Sequence, residues 1–295
     1  MLVSSIAMIK SELDWHGWKM LRSQVLLGIV GMTLAPAGIA AAEENVVETA
    51  GNFPRLLSLG TSYNAGFNRG TYDRFQDFAD LRAFVSFPLE NGHSIVSRTI
   101  VPYHTDKPDV MDPSRSTVGL GDTLTAFFLT PPPSDDLVFS FGPAIGLPTA
   151  TDDTLGYGKW LAGFSGLALA TFDKKLAVGG FFSNFWSVAG DSSRSDVNTM
   201  LLEPILRYQL KDGWFAYSTP LITANWEASG KERWTIPIGG GLGRDFRVGD
   251  QVFQAQASIY KNILSPTNGS EWSFQAKFTL LFPDRIPRVK AAKRQ

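Results

Sequence analysis

The chain has 295 residues, a formal net charge of −1 and no cysteine. Charged residues make up 19% of the sequence, below the roughly 25% of an average soluble domain. The balanced charge gives no reason to expect nucleic acid as a partner, and the absence of thiols is compatible with an oxidising compartment. These values exclude a basic nucleic-acid-binding protein and leave the fold class to the order of residues along the chain.

The N-terminal segment has the layout of a secretory signal peptide. A basic residue lies on each side of Met20, a short apolar core follows at 25–34, and three alanines at 40–42 precede two glutamates. The apolar core is too short for a comfortable membrane span. Because acidic residues before Met20 suit a signal peptide poorly, we expect the true start at Met20. Residues 1–42 are then a signal peptide preceded by an N-terminal extension, and the mature protein is predicted to begin near Glu43.

The rest of the chain consists of runs that partly alternate between apolar and polar side chains and end in turn residues. None of these runs has the 3.6-residue apolar stripe of an amphipathic helix, so the fold is predicted to be all-β. The predicted strands are 56–67, 77–89, 93–103, 119–129, 137–147, 159–171, 175–188, 198–210, 214–226, 233–248, 252–263 and 272–282.

The connections between these strands alternate in length. Short turns follow the even-numbered strands, as at 172–174 and 249–250, whereas longer polar segments follow most odd-numbered strands, as at 104–118. Outer-membrane barrels have an even number of strands, short turns at the periplasmic rim and longer loops at the outer rim. We therefore predict a closed antiparallel transmembrane β-barrel of about 12 strands within residues 43–283, followed by a basic tail at 284–295.

Alternation within single strands indicates which side chains face lipid and which face the lumen. From 272 to 282 every second residue is apolar, and polar residues such as Lys277 lie between them. Since no helix is left to cover the apolar faces, lipid is the expected cover. The strands at 119–129, 159–171 and 175–188 are apolar or small on both faces, so their sides stay open.

Charged residues on the faces assigned to the lumen are the candidate functional residues. Such charges either tune what passes through a barrel or pair with one another and plug it, and both alternatives stay open. Aromatic residues on the same faces would suit aromatic solutes or serve packing. The candidates are Asp80, Arg82, Arg98, Glu203, Arg207, Lys277, Phe84 and Tyr260.

Several segments resemble the outer-membrane family named for the MetA pathway of phenol degradation, whose members are often labelled transporters. The most specific are GPAIGLPTATDD at 142–153 and WSVAGD at 186–191, and the likeness extends from about residue 52 to residue 283. The resemblance implies a barrel in the outer membrane of a Gram-negative bacterium that handles hydrophobic or aromatic compounds. It also implies outer-membrane lipids, the barrel assembly machinery and small hydrophobic solutes as partners.

Residues for catalysis are few. Beyond the predicted signal peptide the histidines are His93 and His104, and the loop predicted after His104 offers serines and an aspartate but no nucleophile motif. Asp152 and Asp153 could hold a divalent cation, but two acids in a polar loop more often form a solvated turn. We therefore predict no enzyme and no cofactor, but a passive transporter or channel. The alternative is a structural or ligand-binding barrel with a closed lumen and no flux.

Overall fold

The structure is a computed structural model. The predicted signal peptide, apart from a two-residue strand at Ala40–Ala41, and the basic tail lie outside the described residues. Among the described residues, no helix is long and apolar enough to cross a membrane. Everything below concerns residues 57–69, 73–109, 112, 114–132 and 136–282.

Twelve antiparallel strands in this part of the chain form one sheet that closes on itself. Each strand pairs with the next along the chain, and the last pairs with the first, from Trp272 opposite Phe67 to Leu281 opposite Ser58. The predicted closed barrel is confirmed. The strands are β1 Ser58–Arg69, β2 Arg74–Pro88, β3 Ser94–Pro108, β4 Ser116–Leu120 with Thr123–Thr130, β5 Leu137–Leu147, β6 Lys159–Phe172, β7 Leu176–Gly190, β8 Asn198–Gln209, β9 Trp214–Ser218 with Ile222–Asn225, β10 Trp234–Val248, β11 Gln251–Leu264 and β12 Trp272–Leu281.

Two strands contain a break in their hydrogen-bond ladder. The register on both sides of the break in β9 places Pro204 of β8 opposite Pro220. Proline has no backbone N–H to donate, so pairing stops there and resumes beyond it. In β4 the break falls at Gly121 and Asp122, where the N–H of Gly121 donates to the carbonyl of Pro102 over 2.9 Å.

The connections follow the predicted parity. Residues 173–175 and 249–250 form tight turns at one rim, whereas longer segments such as 148–158 and 191–197 lie at the other. A short 3₁₀ helix, Gly230–Arg233, lies in one of the longer connections. The short-turn rim corresponds to the periplasmic rim of an outer-membrane barrel and the long-loop rim to the outer rim.

Some loops are shorter than predicted. The segment predicted as a loop at 67–76 is mostly strand, because β1 runs to Arg69 and β2 begins at Arg74. β3 likewise continues to Pro108, so His104 lies within a strand and packs on the ring of Phe78 at 5.5 Å. The polar side chains in these segments predicted loops. Strands that extend beyond the hydrocarbon region are surrounded by water, however, and can carry polar side chains.

The outer face carries large exposed apolar side chains on every strand. On β5, Phe139 is 62% exposed and Phe141 is 61% exposed. On β12, Lys277 and Thr279 line the interior, so the intervening Phe278 faces outward. This arrangement is the lipid-facing apolar band of a transmembrane barrel, with the orientation that the sequence predicts.

The interior has two chemically different sides. One side consists of buried apolar groups on β3 to β8, and we call it the apolar wall. The other consists of polar and charged groups on β1, β2, β11 and β12, and we call it the polar wall. The apolar wall comprises Val96, Phe128, Leu167, Leu169, Phe181 and Ile205. The polar wall comprises Ser62, Asp80, Arg82, Gln254, Gln256 and Lys277.

Candidate functional site

A cavity of about 110 Å³ lies between the two walls. Leu167, Leu169 and Ile205 line one side, and Gln254 and Gln256 line the other. The cavity therefore has room for a few water molecules or a small organic group. The lumen is therefore narrow here, and its lining has an apolar side and a polar side.

Glu203 of β8 is the centre of an ion network in this cavity. Its carboxylate lies 3.7 Å from Nη1 of Arg82 and 3.8 Å from Nζ of Lys277, and Oε2 accepts a hydrogen bond from Nη2 of Arg98. In a closed barrel of twelve strands, β8 lies on the opposite side from β2. The contact between Glu203 and Arg82 therefore crosses the lumen.

Asp80 holds Arg82 on the polar wall. Nε of Arg82 lies 2.7 Å from Oδ1 of Asp80, and Nη2 donates to Oδ2 over 3.1 Å. Ser62 and Asn64 also donate to Oδ2, over 2.7 and 3.2 Å. Two parallel N–H···O bonds fix a guanidinium in orientation as well as in position. Arg82 is thus aimed from the polar wall at Glu203.

Arg98 joins the network to the aromatic part of the lumen. Its guanidinium carbon lies 4.4 Å from the ring centre of Phe181 and 5.7 Å from that of Phe84, and these two rings are 5.9 Å apart. A cation over an aromatic face is attracted by the ring quadrupole. Nε of Arg98 is buried and has no hydrogen-bond partner.

Arg207 and Asp245 form a separate buried ion pair. Nη2 of Arg207 lies 2.6 Å from Oδ2 of Asp245, and both side chains are 4% exposed. Gln254 donates to Oδ1 of Asp245 over 2.9 Å, and the guanidinium of Arg207 lies 3.5 Å from the ring centre of Phe215. The pair is closer than Glu203 to the short-turn rim, because β8 ends at Gln209.

The predicted candidates thus fall into three groups. The aromatic candidate Tyr260 supports the break in β9, because its hydroxyl accepts the backbone N–H of Thr219 over 3.1 Å. Arg207 belongs to the separate ion pair. The remaining six candidates meet around the cavity and are Asp80, Arg82, Phe84, Arg98, Glu203 and Lys277.

Asp122 is a structural residue that the sequence analysis does not single out. In the break of β4 its carboxylate accepts the backbone N–H groups of Ala150 and Tyr157, over 3.1 and 2.6 Å, and so anchors the connection 148–158. Arg194 also donates to the carbonyl of Asp153 over 2.8 Å. Asp122 could have been identified from the sequence, because it is the charged residue in the otherwise uncharged run GLGDTLTAFF.

Asp152 and Asp153, the acidic pair in the connection 148–158, lie in a turn. Oδ1 of Asp152 accepts both the backbone N–H and the hydroxyl of Thr154, each over 2.8 Å. These bonds hold the pKa of Asp152 below its ordinary value. Within the described residues, no group of three or more His, Asp or Glu side chains could hold a metal ion. The two hydrogen bonds from Thr154 to Asp152 favour the turn over the cation site.

The fold is similar to that of known outer-membrane proteins. An outer membrane channel from Pseudomonas putida F1 superposes with a TM-score of 0.55 at 13% identity, over 84% of this chain and 100% of that one. The NanC porin gives a TM-score of 0.48 at 10% identity, over 77% of this chain and 98% of that one. No family model and no curated protein sequence matches the chain. The fold is thus that of an outer-membrane β-barrel, and the resemblance to the MetA-pathway family is not confirmed.

Proposed function

We propose that the protein is a passive channel of a Gram-negative outer membrane for small, partly hydrophobic solutes, including aromatic ones. The observation that carries this proposal is the lumen itself, in which an apolar wall and a polar wall face each other across a narrow cavity. The segments that resemble the MetA-pathway family and the fold shared with an outer-membrane channel support it.

The mechanism needs no covalent step. A solute that enters the cavity places its apolar surface against Leu167, Leu169 and Ile205, and its polar groups exchange water for Gln254 and Gln256. Because both kinds of surface line the same cavity, desolvation of an amphipathic solute is compensated on both sides. The concentration gradient supplies the direction, and no residue is assigned a catalytic role.

A barrel with a closed lumen and no flux is the second candidate. It is favoured by the contact of Glu203 with Arg82 across the lumen and by the small volume of the cavity, about 110 Å³. In this case the network is a plug, and the protein binds a ligand or stabilises the membrane without passing anything. Glu203 is the residue that distinguishes the two functions.

Single-protein conductance in planar bilayers tests the proposal. We expect stepwise currents from the wild-type protein and larger steps from Glu203→Ala, because removing this side chain removes the contacts that cross the lumen. Thr267→Ala, at the long-loop rim, is the matched control and should leave the current unchanged. If the wild-type protein carries no current and Glu203→Ala does, the closed-lumen function is correct.

A further inference from the structure

The ion network has more cationic than anionic groups. Arg82, Arg98 and Lys277 face two carboxylates, those of Asp80 and Glu203. Asp80 is occupied by Arg82 and by two polar side chains of β1. Glu203 contacts Arg98, Lys277 and Arg82 at the same time. The five groups carry a net positive charge, so an additional anion is attracted and a cation is repelled.

The surroundings of Arg98 suit a flat apolar group beside that anion. Phe84 and Phe181 lie under its guanidinium, and Leu167 and Leu169 continue the same surface along the cavity. Nε of Arg98 is a buried donor without a partner. Buried polar groups are normally hydrogen-bonded, so an unpaired buried donor indicates that an additional acceptor beside Arg98 would be stabilised. A guanidinium presents parallel N–H groups that match the two oxygens of a carboxylate.

We propose that this network recognises small monocarboxylates with an aromatic or compact apolar body. The ligand carboxylate takes the position that Glu203 occupies between Arg98 and Lys277, while Glu203 keeps its contact with Arg82. The ligand ring lies against Phe181 and the neighbouring leucines. Glu203 is then an internal competitor that holds the cations in place when no solute is present. This inference rests on the proposed function, since it names the solute class of the same lumen.

Calorimetric titration of the detergent-solubilised protein tests the inference without requiring flux. Benzoate is the probe, and benzyl alcohol, which has the same ring and no charge, is the matched ligand. We expect benzoate to bind at least about tenfold more tightly, the usual value of one charge-assisted hydrogen bond. Arg98→Gln and, independently, Lys277→Gln should weaken benzoate binding, whereas Glu203→Gln should strengthen it by removing the competitor. Asp152→Asn, in the connection 148–158, should leave binding unchanged.

The result that overturns the inference is equal affinity for benzoate and benzyl alcohol, or no benzoate binding at all. Unchanged affinity in both Arg98→Gln and Lys277→Gln overturns it as well, provided that heat-modifiable gel mobility shows both variants folded. Conductance separates this failure from failure of the channel function. Benzoate binding without any current would support the inference and contradict the channel function. A current together with equal affinity for benzoate and benzyl alcohol would support the channel function and contradict the inference.

Discussion

The two walls of the lumen are stabilised by different kinds of interaction. On the polar wall, Asp80 is held by directed bonds from Ser62, Asn64 and Arg82. On the apolar wall, Leu167 and Phe128 are almost completely buried among other apolar groups. The stability that a hydrogen bond or ion pair contributes depends on each individual partner, whereas the stability from packing depends on the volume that the side chains fill. Substitutions on the polar wall should therefore lower the stability according to the partner that is lost. Substitutions on the apolar wall should lower it according to the volume that is lost.

The largest effect is expected for Arg207→Met. Removing one partner of a buried ion pair leaves the charge of Asp245 uncompensated, which costs about 3–5 kcal/mol. Guanidinium-induced unfolding from phospholipid vesicles measures the loss. The double variant Arg207→Met with Asp245→Leu is the control and should recover most of it. A double variant that is no more stable than the single one contradicts the directed-bond rule.

On the apolar wall, Leu167→Ala should cost about 2–5 kcal/mol, because Leu167 is 1% exposed and the substitution leaves a cavity. The matched change on the polar wall is Gln256→Ala, which removes a 2.9 Å hydrogen bond to Gln254 and should cost about 0.5–1.5 kcal/mol. The same unfolding measurement compares the two. Equal losses would mean that the walls do not differ in the way described.

An effect smaller than that of Leu167→Ala is expected for Ser62→Ala, which removes one of several donors to Asp80. A hydrogen bond to a charged group contributes about 1.5–3 kcal/mol, and the low end applies because Arg82 and Asn64 remain. Ser140→Ala is the control, since Ser140 is equally buried but donates to the neutral hydroxyl of Thr130 over 3.0 Å. The denaturation midpoint should fall further for Ser62→Ala than for Ser140→Ala.

The smallest effect is expected at the long-loop rim, away from both walls. Glu232 accepts hydrogen bonds from the hydroxyl and the backbone N–H of Thr267, and these bonds lower the pKa of Glu232 from its ordinary value of 4.5. The contact is therefore fully present above that value and is lost as the pH falls through the lowered pKa. Thr267→Ala should bring the pKa back towards 4.5 with little change in the unfolding midpoint, because both side chains are exposed to water. Carboxyl NMR titration measures the pKa, and an unchanged value would contradict the contact.

Much of the barrel could be predicted because polar residues mark the inner face of several strands. Asp80 and Arg82 on β2, Gln254 and Gln256 on β11 and Lys277 on β12 all alternate with apolar neighbours. The same rule fails on β4, β6 and β7, where the inner face is itself apolar. Hydropathy cannot separate an apolar side chain that meets lipid from one that meets the apolar wall, so the register between strands was needed.

The ion network could be predicted only in part. Alternation places Glu203, Arg98 and Lys277 inside the barrel, but their meeting depends on strand count and register, which bring opposite strands together. Phe181, which lies 4.4 Å under Arg98, could not be selected because both faces of its strand are apolar. Tyr260 could be placed on the inner face by alternation, but the bond from the backbone N–H of Thr219 to its hydroxyl could not, because it depends on the break at Pro220.

The pairing of β12 with β1 has a consequence for the order of events in assembly. Trp272 to Leu281 hydrogen-bond with the first strand, so the sheet has two open edges until the end of the barrel sequence arrives. Each open edge presents unpaired backbone groups that lipid cannot satisfy. Insertion is therefore cooperative, and a nascent chain lacking its twelfth strand should be sheltered by another protein or degraded.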